Sequence, residues 1–170
     1  MMSLLAILLR YSILLSAVTT ARPAFTASHF DITYIQTHLP SGSARDTDYT
    51  AAFTVHDPDP LTNTTTTCSW AWPANGSYPS GGYVPCKDRS FLFNFEEGSF
   101  TNISNFQLQV QHTFKDPSMG PPPYDMVTNF ARANVTSADM DCWQVKGGTY
   151  CLLHYDITIV APIWASIAKK

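Results

Sequence analysis

The 170-residue sequence predicts an all-β protein: a compact antiparallel barrel or sandwich with two disulfides and about seven or more strands. Three observations carry that expectation. Apolar residues recur with period two in segment after segment, Gly- and Pro-rich punctuation separates those segments, and the four cysteines form an even set in a chain that reads as exported. No stretch longer than about ten residues carries a helical period, and closing the sheet on itself or packing two sheets would hide the strand edges.

The chain opens with Met2 to Ala21, MSLLAILLRYSILLSAVTTA, apolar except for Arg10 and ending in the small residues Thr19, Thr20 and Ala21. This is the pattern of a secretory signal peptide cut after Ala21. The rival reading, a retained membrane anchor, needs about 20 continuous apolar residues, and Arg10 interrupts the run. Ile157 to Ala168 is too short to span and holds Pro162, so no membrane attachment is expected after cleavage. Residues 1–21 are thus read as a signal peptide and 22–170 as a single domain, with a core over 29–162 and an additional C-terminal tail over 163–170.

The clearest strand is Phe106 to Phe114, where Phe106, Leu108, Val110, His112 and Phe114 alternate with polar partners. The same alternation gives the inward sets Phe30, Ile32 and Tyr34; Tyr49, Ala51, Phe53 and Val55; Phe91, Phe93 and Phe95; and Cys151, Leu153, Tyr155, Ile157 and Ile159. Thr64–Trp72 and Val127–Val135 add two weaker strands. Between them lie Pro-Ser-Gly-Ser at 40–43, Asp-Pro-Asp-Pro at 57–60, Pro-Ser-Gly-Gly at 79–82, Gly98, Gly-Pro-Pro-Pro at 120–123 and Gly147-Gly148, each of which stops regular structure.

Net charge is −3 and 14% of residues are charged, with no basic cluster. The electrostatic footprint of a nucleic-acid binder is therefore missing. Cys68, Cys86, Cys142 and Cys151 admit three disulfide pairings. The absence of C-x-x-C knuckles and the oxidising compartment speak against a zinc site. Sequons at Asn63, Asn75, Asn102 and Asn134 mark candidate glycosylation sites. The first three fall in expected loops and Asn134 inside an expected strand.

No catalytic constellation stands out. The five histidines (His29, His38, His56, His112 and His154) and the acidic residues form no recognised motif. Glu96 and Glu97 are neighbours in a strand and point to opposite faces, which rules them out as a glycosidase pair. Asp57-Pro-Asp-Pro60 offers two carboxylates where calcium takes about six to eight oxygens, so it reads as a turn. No catalytic residue, metal or other cofactor is expected. His112 stands at an inward, otherwise apolar position, either as a hydrogen-bonded histidine at a barrel end or as a ligand contact. Trp70, Trp72, Tyr78 and Tyr83 crowd one segment, where rings could stack on sugars or fill a partner's pocket. Equally, Trp70 and Trp72 share a face and could both belong to the core.

From Phe30 to Val160 the chain resembles the family named after the major allergen of the mould Alternaria alternata, a group of small secreted fungal proteins. The carriers are Phe30-Asp-Ile-Thr and Ala52-Phe-Thr-Val, and a Thr-rich approach to Cys68. Then come Tyr83-Val-Pro-Cys86 before Ser90-Phe-Leu-Phe-Asn-Phe95, the alternating strand at Phe106, an Ala-rich strand ending near Asp141-Cys142, and Tyr150-Cys151 opening a last strand that finishes in Ile-Val-Ala-Pro162. The resemblance implies a compact β-barrel, secretion, no established enzymatic activity, and cysteines paired with their sequence neighbours, Cys68 with Cys86 and Cys142 with Cys151. Local geometry agrees: a bridge would hold the Pro- and Gly-rich segment 73–82, and Gly147-Gly148 can turn a hairpin that sets Cys142 against Cys151. The resemblance also implies roles at plant hosts or as allergens, with host extracellular proteins or small phenolic ligands as partners.

Two departures stand out. No cysteine lies between Arg22 and Thr67, so the disulfide-linked dimer of the allergen type is not expected. The Pro-rich loop Lys115–Tyr124 and the tail 163–170 read as additions to the family pattern. The expected function is a secreted effector or allergen-like binding protein, the alternative a carbohydrate-binding module for cell-wall polysaccharide acting through Trp70 and Tyr83, and the third a small secreted hydrolase.

Overall fold

The alternation read from the sequence becomes ten strands in a computed structural model that describes residues 28–42, 47–74 and 82–169. They are β1 (His29–Pro40), β2 (Asp48–Asp57), β3 (Thr64–Pro73), β4 (Val84–Pro85), β5 (Phe91–Phe95), β6 (Phe106–Lys115), β7 (Met126–Val135), β8 (Met140–Val145), β9 (Gly148–Leu153) and β10 (Ile159–Ala168). Among the described residues the only helical element is a single 3-10 turn, Pro117–Met119, in the Pro-rich loop. All pairings between these strands are antiparallel, in the order β3-β2-β1-β10-β7-β6-β5-β4, and the sheet curls into a nearly closed barrel.

The ends of that order, β3 and β4, meet at Cys68–Cys86, whose Cα atoms are 4.2 Å apart. Beside the bridge, Lys87 N donates to Thr67 O at 2.8 Å and Asp88 N to Thr66 Oγ1 at 2.9 Å. The expected pairing is present, but its place differs from a simple loop staple, because this disulfide closes the seam of the barrel. Cys142 and Cys151 face each other across the β8–β9 hairpin with Cα atoms 4.1 Å apart, also as expected. Of the two turn glycines only Gly148 has positive φ, at +134°. A Cβ there would sit 2.1 Å from Leu39 O, so the close approach of β1 to the hairpin requires glycine.

Period-two strands put one face inside, and here that face is mostly phenylalanine: Phe30, Phe53, Phe91, Phe93, Phe95 and Phe106 are fully buried. Their rings meet edge to face, as Phe53 and Phe93 do at 4.9 Å, or stacked, as Phe100 and Phe106 do at 5.5 Å. Each buried ring contributes roughly 1.5–3 kcal/mol of transfer free energy, which makes the ring-filled interior the main source of stability.

Two inward expectations are corrected. Thr33 is an extra residue in β1, and the bulge between Ile32 and Tyr34 flips the later face, turning Tyr34 outward at 39% exposure and Ile35 inward. The expected last strand from Cys151 to Ile159 is two strands in one line: β9 and β10 share the same edge of β1, and a turn between Leu153 and Ile159 leaves Tyr155 fully exposed. Residues 163–168, read from the sequence as tail, form the second half of β10 and pair with β7 from Ile163↔Ala131 to Ala168↔Val127. The signal segment 1–21 lies outside the described residues. Among those described, no helix is long and apolar enough to cross a membrane.

Candidate functional site

Outward residues on one side of the barrel line up across four strands and the residue that precedes β4. The register sets Asn94 of β5 opposite Gln109 of β6, and Gln109 opposite Arg132 of β7. Continuing the Val84↔Phe93 pair brings Tyr83 beside Asn94. At the other end, a bulge in β10 between Ile163 and Ala165 turns Trp164 outward over Arg132. The row Tyr83, Asn94, Gln109, Arg132, Trp164 thus runs perpendicular to the strands.

Its members are joined to one another. The Tyr83 hydroxyl donates to Gln109 Oε1 at 3.0 Å, and Gln109 Nε2 donates to Glu96 Oε2. Arg132 Nε lies 3.2 Å from Glu96 Oε2, an ion pair whose N–H is not aligned as a hydrogen bond. The Arg132 guanidinium sits 5.1 Å from the centroid of Trp164, which also leans on Phe130 at 5.9 Å. Trp164 is 55% exposed and Tyr83 37% exposed. Burial of its hydroxyl, with the Glu96 charge second, raises the Tyr83 phenol above its usual value, while Arg132 pulls it the other way.

The remaining sequence candidates distribute differently. Trp72 is core, stacked on Tyr49 at 5.5 Å and packed against Phe95 and Phe100, and Trp70 is half-buried against the same cluster. Among the described residues neither ring pairs with Tyr83, and the expected cluster of Trp70, Trp72, Tyr78 and Tyr83 includes a member that is not among them. Tyr78 and Asn75 lie outside the described residues. Asn63 is exposed in the turn after Asp57-Pro-Asp-Pro60 at φ +37°, and Asn102 is exposed in a turn where its Oδ1 accepts from Ser104 N and Oγ, both at 2.9 Å. Asn134 is in β7, as the sequence indicates, and its side chain is exposed on the face that carries Arg132.

His112 is buried, and its Nδ1 lies 2.7 Å from Oδ2 of the fully buried Asp57. Phe91 stacks on the imidazole at 3.8 Å, with Phe114 and Phe30 around it. Asp57 Oδ1 meanwhile accepts from Asp59 N at 3.0 Å, and Asp59 Oδ1 from Leu61 N at 2.8 Å, so the Asp-Pro-Asp-Pro segment is a turn held by its own carboxylates. Of the two alternatives for His112, the hydrogen-bonded histidine is the one seen. Among the described residues no group of three or more His, Cys, Asp or Glu side chains could hold a metal ion.

Sequence reasoning misses Gln109, Arg132 and Trp164. From the sequence, Gln107, Gln109 and Gln111 read only as a wet face, and Trp164 falls in the supposed tail. Polar alternation in two neighbouring strands is the available signal, but which residues align depends on register, which periodicity does not supply. The chain matches no protein-family model, no curated protein and no solved structure.

Proposed function

We propose that this chain is a secreted, non-catalytic binding protein of the effector or allergen-like kind, acting outside the cell at the host interface through the exterior of its barrel. The observation that supports this reading is the division between inside and outside. The interior is filled by phenylalanine rings, while hydrogen-bonding and aromatic side chains gather on the outer face around Gln109. Two disulfides suit an oxidising compartment, and the signal-like segment 2–21 suits export. With the interior occupied, a small phenolic ligand would have to sit on the surface, which favours a macromolecular partner.

The alternative, a carbohydrate-binding module, draws support from the same outer face, with Trp164 in the place the sequence gives to Trp70. The test of the main reading is direct. Labelled mature protein applied to host extracellular material should be retained saturably and competed by unlabelled protein. Retention that never saturates overturns the proposal.

A further inference from the structure

We propose that the row Tyr83–Asn94–Gln109–Arg132–Trp164, with Glu96, is a binding platform for a neutral pyranose polysaccharide, an inference that rests on the extracellular binding function above and names its ligand class. Four interstrand steps of about 4.8 Å give the row a length of about 19 Å, room for several sugar rings in sequence. Its chemistry answers both parts of a sugar, with an aromatic ring at each end and polar groups between them. Pyranose rings present C–H faces that pack on aromatic rings, and equatorial hydroxyls that pair with planar amides, carboxylates and guanidinium groups.

Trp164 offers the stacking face, 55% exposed and held in orientation by Arg132 and Phe130. Tyr83 closes the far end, fixed by its bond to Gln109. Between them, hydrogen-bonding capacity is unspent: Gln109 Nε2 uses one of its two protons on Glu96. Glu96 and Arg132 neutralise each other at 3.2 Å, so the row attracts neither a polyanion nor a polycation. A protein partner would want an apolar pocket for an anchor side chain, whereas this row is built of planar polar groups. Asn134, one same-face position along β7 from Arg132, carries a sequon, and a glycan attached there would lie against the platform.

The test uses the secreted chain carrying Asn134→Gln, so that no attached glycan covers the face, titrated calorimetrically with soluble oligosaccharides of cellulose, chitin, xylan and laminarin. At least one should bind saturably. Trp164→Ala and Gln109→Ala should each weaken it about tenfold or more, the loss of roughly one good stacking or hydrogen-bonding contact. Trp164→Phe should recover part of the loss, and Trp70→Ala, a truncation against the core, should leave the affinity unchanged. Unchanged thermal midpoints in the Trp164 and Gln109 variants show that the losses are local. Binding by none of the four oligosaccharides overturns the inference, as does binding indifferent to Trp164→Ala and Gln109→Ala. If host material still retains the protein saturably in that case, only the ligand class falls and the binding function stands.

Discussion

Asp57 Oδ2 and His112 Nδ1 meet at 2.7 Å, joining the end of β2 to the inward face of β6 with both side chains buried. A carboxylate enclosed this way is tolerable only while its partner is present. His112→Leu should therefore cost about 3–5 kcal/mol, read as a shift in the denaturant midpoint. Adding Asp57→Asn to that variant should recover part of the loss, because the new amide carries no charge and its oxygen can still accept from Asp59 N. A double variant as unstable as His112→Leu alone would mean that the unpaired charge is not what hurts.

Removing the bridges should reveal two different jobs. With a sequence separation of 18, loss of Cys68–Cys86 should cost about 3 kcal/mol. With a separation of 9, loss of Cys142–Cys151 should cost about 2.5 kcal/mol. Their distinguishing mark is hydrogen exchange. In Cys68→Ala/Cys86→Ala the amide of Lys87, bonded to Thr67 O across the seam, should lose its protection while the β8–β9 amides keep theirs. Retained protection at Lys87 would show that the seam holds without the bridge.

Gly148→Ala should destabilise the protein by roughly 1–3 kcal/mol, since it places a side chain at positive φ and pushes a Cβ into Leu39 O. Gly98→Ala makes a useful control. It shares positive φ, but a Cβ there meets nothing within 4 Å. Equal losses at the two positions would remove the close approach from the explanation and leave backbone strain alone.

Alkaline titration should single out Tyr83. Its phenol is raised in the fold, so the fold favours the neutral form. Stability tied to that preference is complete below the unfolded value of about 10 and is lost as pH climbs from there through the folded value. Partial exposure keeps the stability effect small, so phenolate absorbance is the better readout. The step absent from Tyr83→Phe should lie above the ordinary tyrosine range. Glu96→Gln should lower it without abolishing the shift, because burial is the larger cause. A Tyr83 step at the ordinary position would contradict the geometry around Gln109.

What the sequence could and could not reveal follows from the range of each interaction. Phe106 to Phe114 reads as a strand because alternation is local, and the β6 burial pattern follows it closely. Cys142 and Cys151 are readable as a pair because a glycine turn brings near neighbours together. The bulge at Thr33 and the break after Leu153 are not readable, since each answers to a neighbouring strand rather than to its own residues. Asp57 looks like a turn residue and is one, yet its second role depends on His112, 55 positions away. The row that ends at Trp164 requires the pairing of five strands, and no single segment carries that information.

The seam at Cys68–Cys86 also bears on how the molecule meets its own copies. A rolled sheet that stops short of closure presents two strand edges, with backbone N–H and C=O groups free to template pairing with a second chain. Here one covalent bond and the Lys87–Thr67 hydrogen bond turn those edges toward each other. Cut the bond and the threonine-rich strand Thr64–Pro73, rich in β-branched residues, becomes an open edge suited to strand addition. The oxidised bridge is in that sense a guard against self-association.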